Sequence, residues 1–237
     1  MTEELFREDA YLRECDATIV AVGEDWVELD RTVFYPTGGG QPGDVGELVL
    51  ADGQHLRVVD TRKGDSPSSI HHIVESVSSV SVGLSVKATI DWERRHRLMR
   101  MHTCMHLLCA VIDGGVTGGS IRDGSARLDF DLPDQLLDKD AITARLNELV
   151  VADAAVSARW ISEAELDQKP DLVRTMSVQP PRGQGRVRVL DVAGIDLQPC
   201  GGTHVAKTSE IGAVRVKKIE KKGKHNRRVN VVFDEAS

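Results

Sequence analysis

Aromatic side chains are scarce in this sequence: four Phe, three Trp and two Tyr among 237 residues. Cysteine is scarcer relative to length, with Cys15, Cys104, Cys109 and Cys200 at irregular spacing. That number and spacing exclude a disulfide framework, and in a reducing compartment a cysteine near histidines reads as a buried side chain, a metal ligand or a nucleophile. No apolar run approaches the ~20 residues needed to span a bilayer. The first fifteen residues, MTEELFREDAYLREC, are acidic and lack the basic and apolar regions of a secretory signal. The expected location is therefore cytoplasmic. Overall basic charge is missing too: the formal net charge of −7 argues against a protein that coats nucleic acid over its whole surface. Neither an internal repeat nor a low-complexity linker interrupts the chain.

What is present suits a soluble globular protein, with 41% hydrophobic and 28% charged residues. The length favours two domains of ordinary size. The first ~90 residues read as β. Ala17–Leu29 alternates loosely around a turn at Gly23–Asp25, and Gly46–Leu50 and His55–Asp60 flank the hairpin dipeptide Asp52-Gly53. Ile70–Glu75 and Leu84–Asp91 are two more short strands, with His71 and His72 explained by strand packing. Many short strands separated by turns point to a small barrel.

The period changes at Asp91. Leu98, Met101, Met105, Leu108 and Ile112 recur at steps of three and four, predicting an amphipathic helix with Asp91 as N-cap and Gly114-Gly115 as its end. Ser120–Arg122 and Ala126–Asp131 bracket the hairpin dipeptide Asp123-Gly124, and Lys139–Asp153 reads as a second helix. Ser162–Gln168 carries a capping box, and Gln179–Gly185 is a Pro/Gly-rich loop. Strands resume at Arg186–Val192, Ala213–Ile219 and Arg227–Phe233. This division gives a β domain over residues 1–90 and an α+β domain over residues 91–237.

Two short motifs offer metal ligands. His102 and His106, four apart on the predicted helix, project from one face within reach of one ion. Thr103 stands where an HExxH zinc protease carries glutamate, which removes that enzyme's base. Cys200 and His204 in Pro-Cys-Gly-Gly-Thr-His form a second pair of ligand types at the same spacing. Three nitrogens and one sulfur suit Zn²⁺ better than a hard cation. Cys109, seven residues after His102, competes for the same face and reads as core packing.

A third motif, FYPTGGGQPGD over residues 34–44, has neither a Walker lysine nor the GxGxxG order. Its backbone N–H groups at Gly38, Gly39 and Gly40, with the Gln41 side chain, can line a pocket. Near the C-terminus, Arg215, Lys217, Lys218, Lys221, Lys222, Lys224, Arg227 and Arg228 are opposed only by Glu220. Such a run is either a solvated face or a local seat for a polyanion.

The segments FYPTGGGQPGDVG, DWERRHRLMRMHTCMHLL and PCGGTHVAKTSEIGAVRV together resemble the editing region of alanyl-tRNA synthetases. With no aminoacylation domain and with the ending IEKKGKHNRRVNVVF, the chain resembles most the free-standing AlaX-type alanyl-tRNA editing proteins of medium length. The likeness spans residues 30–233. It implies an α+β protein: a small N-terminal β-barrel, then an editing domain with an antiparallel sheet and a zinc-bearing helix. It implies hydrolysis of Ser-tRNA(Ala), and of Gly-tRNA(Ala), with His102, His106, Cys200 and His204 as zinc ligands. Gly38–Gly40, Gln41, Gly201 and Gly202 would contact the substrate. Related sites carry a polar residue after the HxxxH helix; an ungapped reading puts Arg122 there, and Thr117 or Ser120 serve equally. Cys200 and Gln41 are the other candidates for a direct catalytic part.

Asp44 and Asp123 are possible bases, though turn roles are commoner for both. Arg94, Arg95, Arg97 and the tail residues Lys221, Lys222, Lys224, Arg227 and Arg228 are the candidate tRNA contacts. A zinc with four protein ligands is normally structural, so direct action on substrate requires one ligand to yield or a fifth position to open. A non-catalytic tRNA-binding module with a structural zinc, or a zinc hydrolase of small esters, are the rival readings.

Overall fold

The computed structural model describes all residues except 1, 67, 79, 134–135, 177–179, 181, 184 and 235–237. Two compact units divide it, Met1–His96 and Arg97–Ser237. The first contains β1 (Glu3–Glu4), β2 (Glu14–Val22), β3 (Trp26–Leu29), β4 (Arg31–Thr32), β5 (Gly46–Leu50), β6 (His55–Lys63), β7 (Ile70–Val74) and β8 (Ser85–Ile90). Six of these close into an antiparallel barrel in the order β2-β3-β7-β6-β5-β8. Alternation along the strands sends Ile19, Val27, Leu29, Leu48, Val58 and Val86 into its core, each nearly or fully buried. The short β1 and β4 pair in parallel beside it.

His71 and His72 behave as strand packing requires. The His71 ring stacks on Trp26 with centroids 3.7 Å apart. His72 is fully buried: its Nδ1 lies 3.1 Å from the Val27 carbonyl, and its Nε2 lies 2.8 Å from Thr32 Oγ1. Thr32 Oγ1 in turn accepts the Phe34 N–H. This chain of bonds fits a neutral ring that donates from Nδ1 and accepts at Nε2. Burial accordingly pulls the His72 pKa down to about 4.

The second unit takes up the helix α1 (Trp92–Val111) from Arg97 onward. Asp91 caps it by accepting the Arg94 N–H. The unit boundary falls six residues beyond the change of period, because the first turn of α1 is tied to the barrel unit through Arg95. From Leu98 to Cys109 only Arg100 is more than marginally exposed, so α1 is a core helix rather than the amphipathic surface helix its spacing suggests. The intervening Met99, Thr103, Cys104 and Leu107 are neutral and small or flexible, and all are buried.

After α1 come β9 (Gly115–Arg122), β10 (Ser125–Asp131), α2 (Lys139–Val151), β11 (Val156–Ser162), α3 (Glu163–Asp167), β12 (Arg186–Val192), β13 (Asp196–Pro199), β14 (Val214–Lys222) and β15 (Asn226–Phe233). One sheet has the order β14-β15-β10-β9 and a second has β11-β12-β13, both antiparallel. The fold is α+β. The capping box of Ser162 and Glu165 opens α3 as expected. Strands β11 and β13 carry no clean sequence signal: four consecutive β11 residues are exposed, and β13 is four residues long and ends in proline. Part of the Pro/Gly-rich stretch 179–185 lies outside the described residues.

Candidate metal centre and its surroundings

Helix α1 and the loop after β13 build one cluster. His102 and His106 stand one turn apart on α1, both buried. Cys200 and His204 enter from the loop, with Cys200 Sγ 3.2 Å from His204 Nε2 and 3.6 Å from His102 Nε2. The four ligand atoms all lie within 4.8 Å of one another. No spacing rule links His102 to Cys200, which stand 98 positions apart and meet here.

Neighbouring groups orient the rings. The His106 Nδ1 lies 2.9 Å from Asp196 Oδ2, so Nε2 is turned toward the cluster. Gln198 Nε2 donates to both Asp196 oxygens at 2.8 and 2.9 Å. On the opposite side, Thr103 Oγ1 donates to the Met99 carbonyl and sits 3.3 Å from His204 Nδ1. It also accepts the Val205 N–H. The residue that stands where the protease carries glutamate therefore bridges α1 to His204 and the Val205 backbone.

The loop itself is clamped. Arg188 donates through Nη1 to the carbonyls of Cys200 and Gly202 at 2.8 and 3.0 Å, while the Cys200 N–H returns to the Arg188 carbonyl. The Gly202 N–H points at Cys200 Sγ, 3.5 Å away. Gly201 is exposed beside the cluster and Gly202 is buried.

The electrostatics are those of a donor set. Burial opposes ionisation of Cys200, but the surrounding imidazoles of His102, His204 and His106 and their hydrogen bonds hold its thiol well below the ordinary range. Burial drives His204 down to about 3. For His106, burial is outweighed by its bonds to Asp196 and Cys200, which lift it to about 9. Cys109 is buried with its thiol pushed up to about 12 by burial, and it stays outside the four-ligand group.

The remaining sequence candidates are not among the four clustered donors. Thr117 on β9 bonds through Oγ1 to the Asp129 carbonyl and Asn226 Oδ1, each at 3.2 Å. Ser120 is half-buried opposite Arg127, and Arg122 is exposed at the end of β9. Gly38 and Gln41 close a tight turn by exchanging backbone hydrogen bonds, with Gly39 and Gly40 at positive φ of 55° and 82°. Gln41 is fully buried in the first unit.

Arg95 is corrected. It is fully buried and ion-paired with fully buried Asp44, and it donates to the carbonyls of Ala10 and Val33. A guanidinium so enclosed holds the Gly-rich loop to the start of α1 and offers nothing to RNA. The same pair removes Asp44 as a base, and Asp123 is likewise bonded to Arg97. Arg94 donates to the Gly43 carbonyl.

On the β14–β15 hairpin, Lys221, Lys222 and Lys224 are exposed. Arg228 is bonded to Asp129 through Nε and Nη2, and Arg227 donates to the Pro133 carbonyl. Lys218 and Lys222 both pair with Glu220. Lys221 and Lys224, at the end of β14 and in the turn after it, are outward cations of the hairpin.

A family model described as the threonyl and alanyl tRNA synthetase second additional domain matches residues 187–230, which include Cys200, His204 and the basic hairpin. Another, described as tRNA synthetases class II (A), matches residues 8–94. The alanyl-tRNA editing protein AlaX-M of Methanosarcina barkeri is 38% identical over 239 residues, covering 97% of this chain and 98% of the relative. Its counterpart from Saccharolobus solfataricus is 34% identical with the same coverage. The alanine–tRNA ligase of Pyrococcus furiosus is 34% identical over 93% of this chain, a match confined to 24% of the ligase. Among the described residues, no helix is long and apolar enough to cross a membrane.

Proposed function

The chain belongs to the AlaX-M family of alanyl-tRNA editing proteins, and on that premise we propose that it hydrolyses the ester joining serine, or glycine, to tRNA(Ala). The observation that carries this reading is the convergence of His102, His106, Cys200 and His204 on one locus beside an exposed glycine. Three imidazoles and a thiolate fit Zn²⁺, and the bonds from Asp196 and Thr103 orient two of the rings as a metal requires. Zinc bound there would supply Lewis acidity and, with a position open to water, would lower the pKa of that water to ~7.

The chain's own residues supply position. Arg188 fixes the backbone of the ligand loop, and Gly201 keeps one approach free of side chain. Water adds to the aminoacyl carbonyl, the bond to the ribose oxygen breaks, and amino acid and tRNA leave. A serine hydroxyl gives the pocket a handle that alanine lacks, since pocket groups left unpaired cost ~1–3 kcal/mol each. Thr117, Ser120 and Arg122 are the side chains to test for that contact. Lys221, Lys222 and Lys224 hold phosphate, with Arg94 and Arg227 as weaker candidates because both already donate to carbonyls.

The test is direct. Ser-tRNA(Ala), Gly-tRNA(Ala) and Ala-tRNA(Ala) are incubated with the protein and with Cys200→Ala. Release of serine by the wild type alone supports the reading. Binding without release identifies a tRNA-binding module with a structural metal, and turnover restricted to small esters identifies a different hydrolase.

A further inference from the structure

Nearly all the aromatic rings of this chain are wholly or partly buried. Among the large apolar side chains exposed in the described residues, Trp160 is the one aromatic, with 44% of its surface accessible. It stands on β11, an edge strand of the second sheet, and the Arg186 guanidinium lies 4.5 Å from its ring centroid. Arg186 is itself exposed.

The register fixes what shares that face. Trp160 is directly opposite Arg188 and Ser162 is opposite Arg186, so all four side chains lie on one side of the sheet. On the same side, Leu190 is opposite Gln198 and Val192 is opposite Asp196. This is the face from which Asp196 reaches His106. Arg188, the cross-strand neighbour of Trp160, is the residue that grips the Cys200 and Gly202 carbonyls. The opposite face, with Ile161, Val187 and Val189, packs its own apolar cluster. From Trp160 the row runs through Arg188 to the Cys200 backbone, two strand spacings or about 10 Å.

We infer that Trp160 and Arg186 form a stacking platform for the unpaired 3′-terminal nucleotide of the aminoacyl-tRNA. The inference rests on the deacylase reading above. The ester sits on the ribose of that nucleotide, so when the carbonyl is at the ligand cluster, the base must lie within a nucleoside's reach of Cys200. An indole paired with a guanidinium on the same sheet face meets that requirement. The ring stacks on any base, and the guanidinium adds cation–π attraction and draws the adjoining phosphate. Single-stranded ends are recognised by such stacking rather than by groove contacts.

The experiment compares Trp160→Ala, Trp160→Phe and Arg186→Ala with wild type, using Ser-tRNA(Ala) turnover and metal content. Turnover by the wild type establishes the deacylase reading independently of the variants. The platform then predicts a rise in KM on the order of 10-fold for Trp160→Ala, with the loss falling on KM rather than kcat. Arg186→Ala should lose less, and Trp160→Phe should recover most of the affinity. Metal content should match wild type throughout, which also reports folding of the site.

An uncharged RNA hairpin ending in single-stranded ACCA supplies the second readout. Removing its terminal adenosine should weaken binding to wild type on the order of 10-fold and leave Trp160→Ala indifferent. Unchanged KM in an active Trp160→Ala protein would overturn the platform while leaving the deacylase intact. Equal sensitivity of wild type and Trp160→Ala to the missing adenosine would overturn it as well.

Discussion

Asp196 Oδ2 lies 2.9 Å from His106 Nδ1, and Gln198 holds both oxygens of that carboxylate. A carboxylate behind a ligating imidazole fixes its tautomer and aims the other nitrogen. Replacing Asp196 by Ala should therefore weaken metal binding about 10–100-fold without removing a ligand. Competition with a chromophoric chelator measures this directly. Gln198→Ala should act in the same direction and more weakly. Metal affinity equal to wild type in Asp196→Ala would show that the helix alone positions His106.

The buried pair of Arg95 and Asp44 gives a stability prediction. Truncating Arg95 strands a carboxylate with 1% exposure, and breaking a buried pair in this way costs about 3–5 kcal/mol. Urea unfolding of Arg95→Ala should show that loss. Arg95→Ala combined with Asp44→Ala should lose less than the sum of the singles, because neither charge is then left alone. Additive losses would mean that the two residues act independently.

His72 predicts a pH dependence. Its folded pKa is about 4 and its ordinary value is 6.5, so between these limits the unfolded chain binds more protons. Stability from this group is full above pH ~6.5, falls by about 1.4 kcal/mol per pH unit on acidification, and is lost near pH ~4. The total is roughly 3 kcal/mol. His72→Gln, which cannot titrate, should be less stable at pH 7 yet lose less on going to pH 4.5. Parallel losses in the two proteins would remove His72 as the source.

The outward lysines predict a salt effect. Replacing Lys221, Lys222 and Lys224 by Ala should weaken tRNA binding and flatten its dependence on salt. The log–log slope should shrink by roughly 0.7–0.9 for each phosphate that is no longer neutralised. Lys222 should contribute least, since Glu220 already holds it at 3.2 Å. Deacylation at limiting tRNA should fall in step. An unchanged slope would place the RNA elsewhere.

Much of this protein was legible in the sequence because the signals are local. Period-two strands between Gly and Asp turns give the barrel, the i, i+4 spacing puts His102 and His106 on one face, and Ser162 with Glu165 starts α3. Other features depend on residues distant along the chain. No local pattern marks β11 or β13, and both exist because β12 pairs with them. Arg95 looks like its neighbours Arg94 and Arg97 in the sequence, and only tertiary structure buries it against Asp44.

The ligand chemistry was the sequence's own contribution: two pairs of donors at ligand spacing, with no disulfide framework to claim the cysteine. Tertiary structure decided that the pairs meet within 4.8 Å, that Asp196 and Thr103 stand behind two of the rings, and that Trp160 shares the ligand-facing side of the sheet. The physical reason is sequence separation. Side chains 98 residues apart come together only when the core packs, and no spacing rule reaches that far.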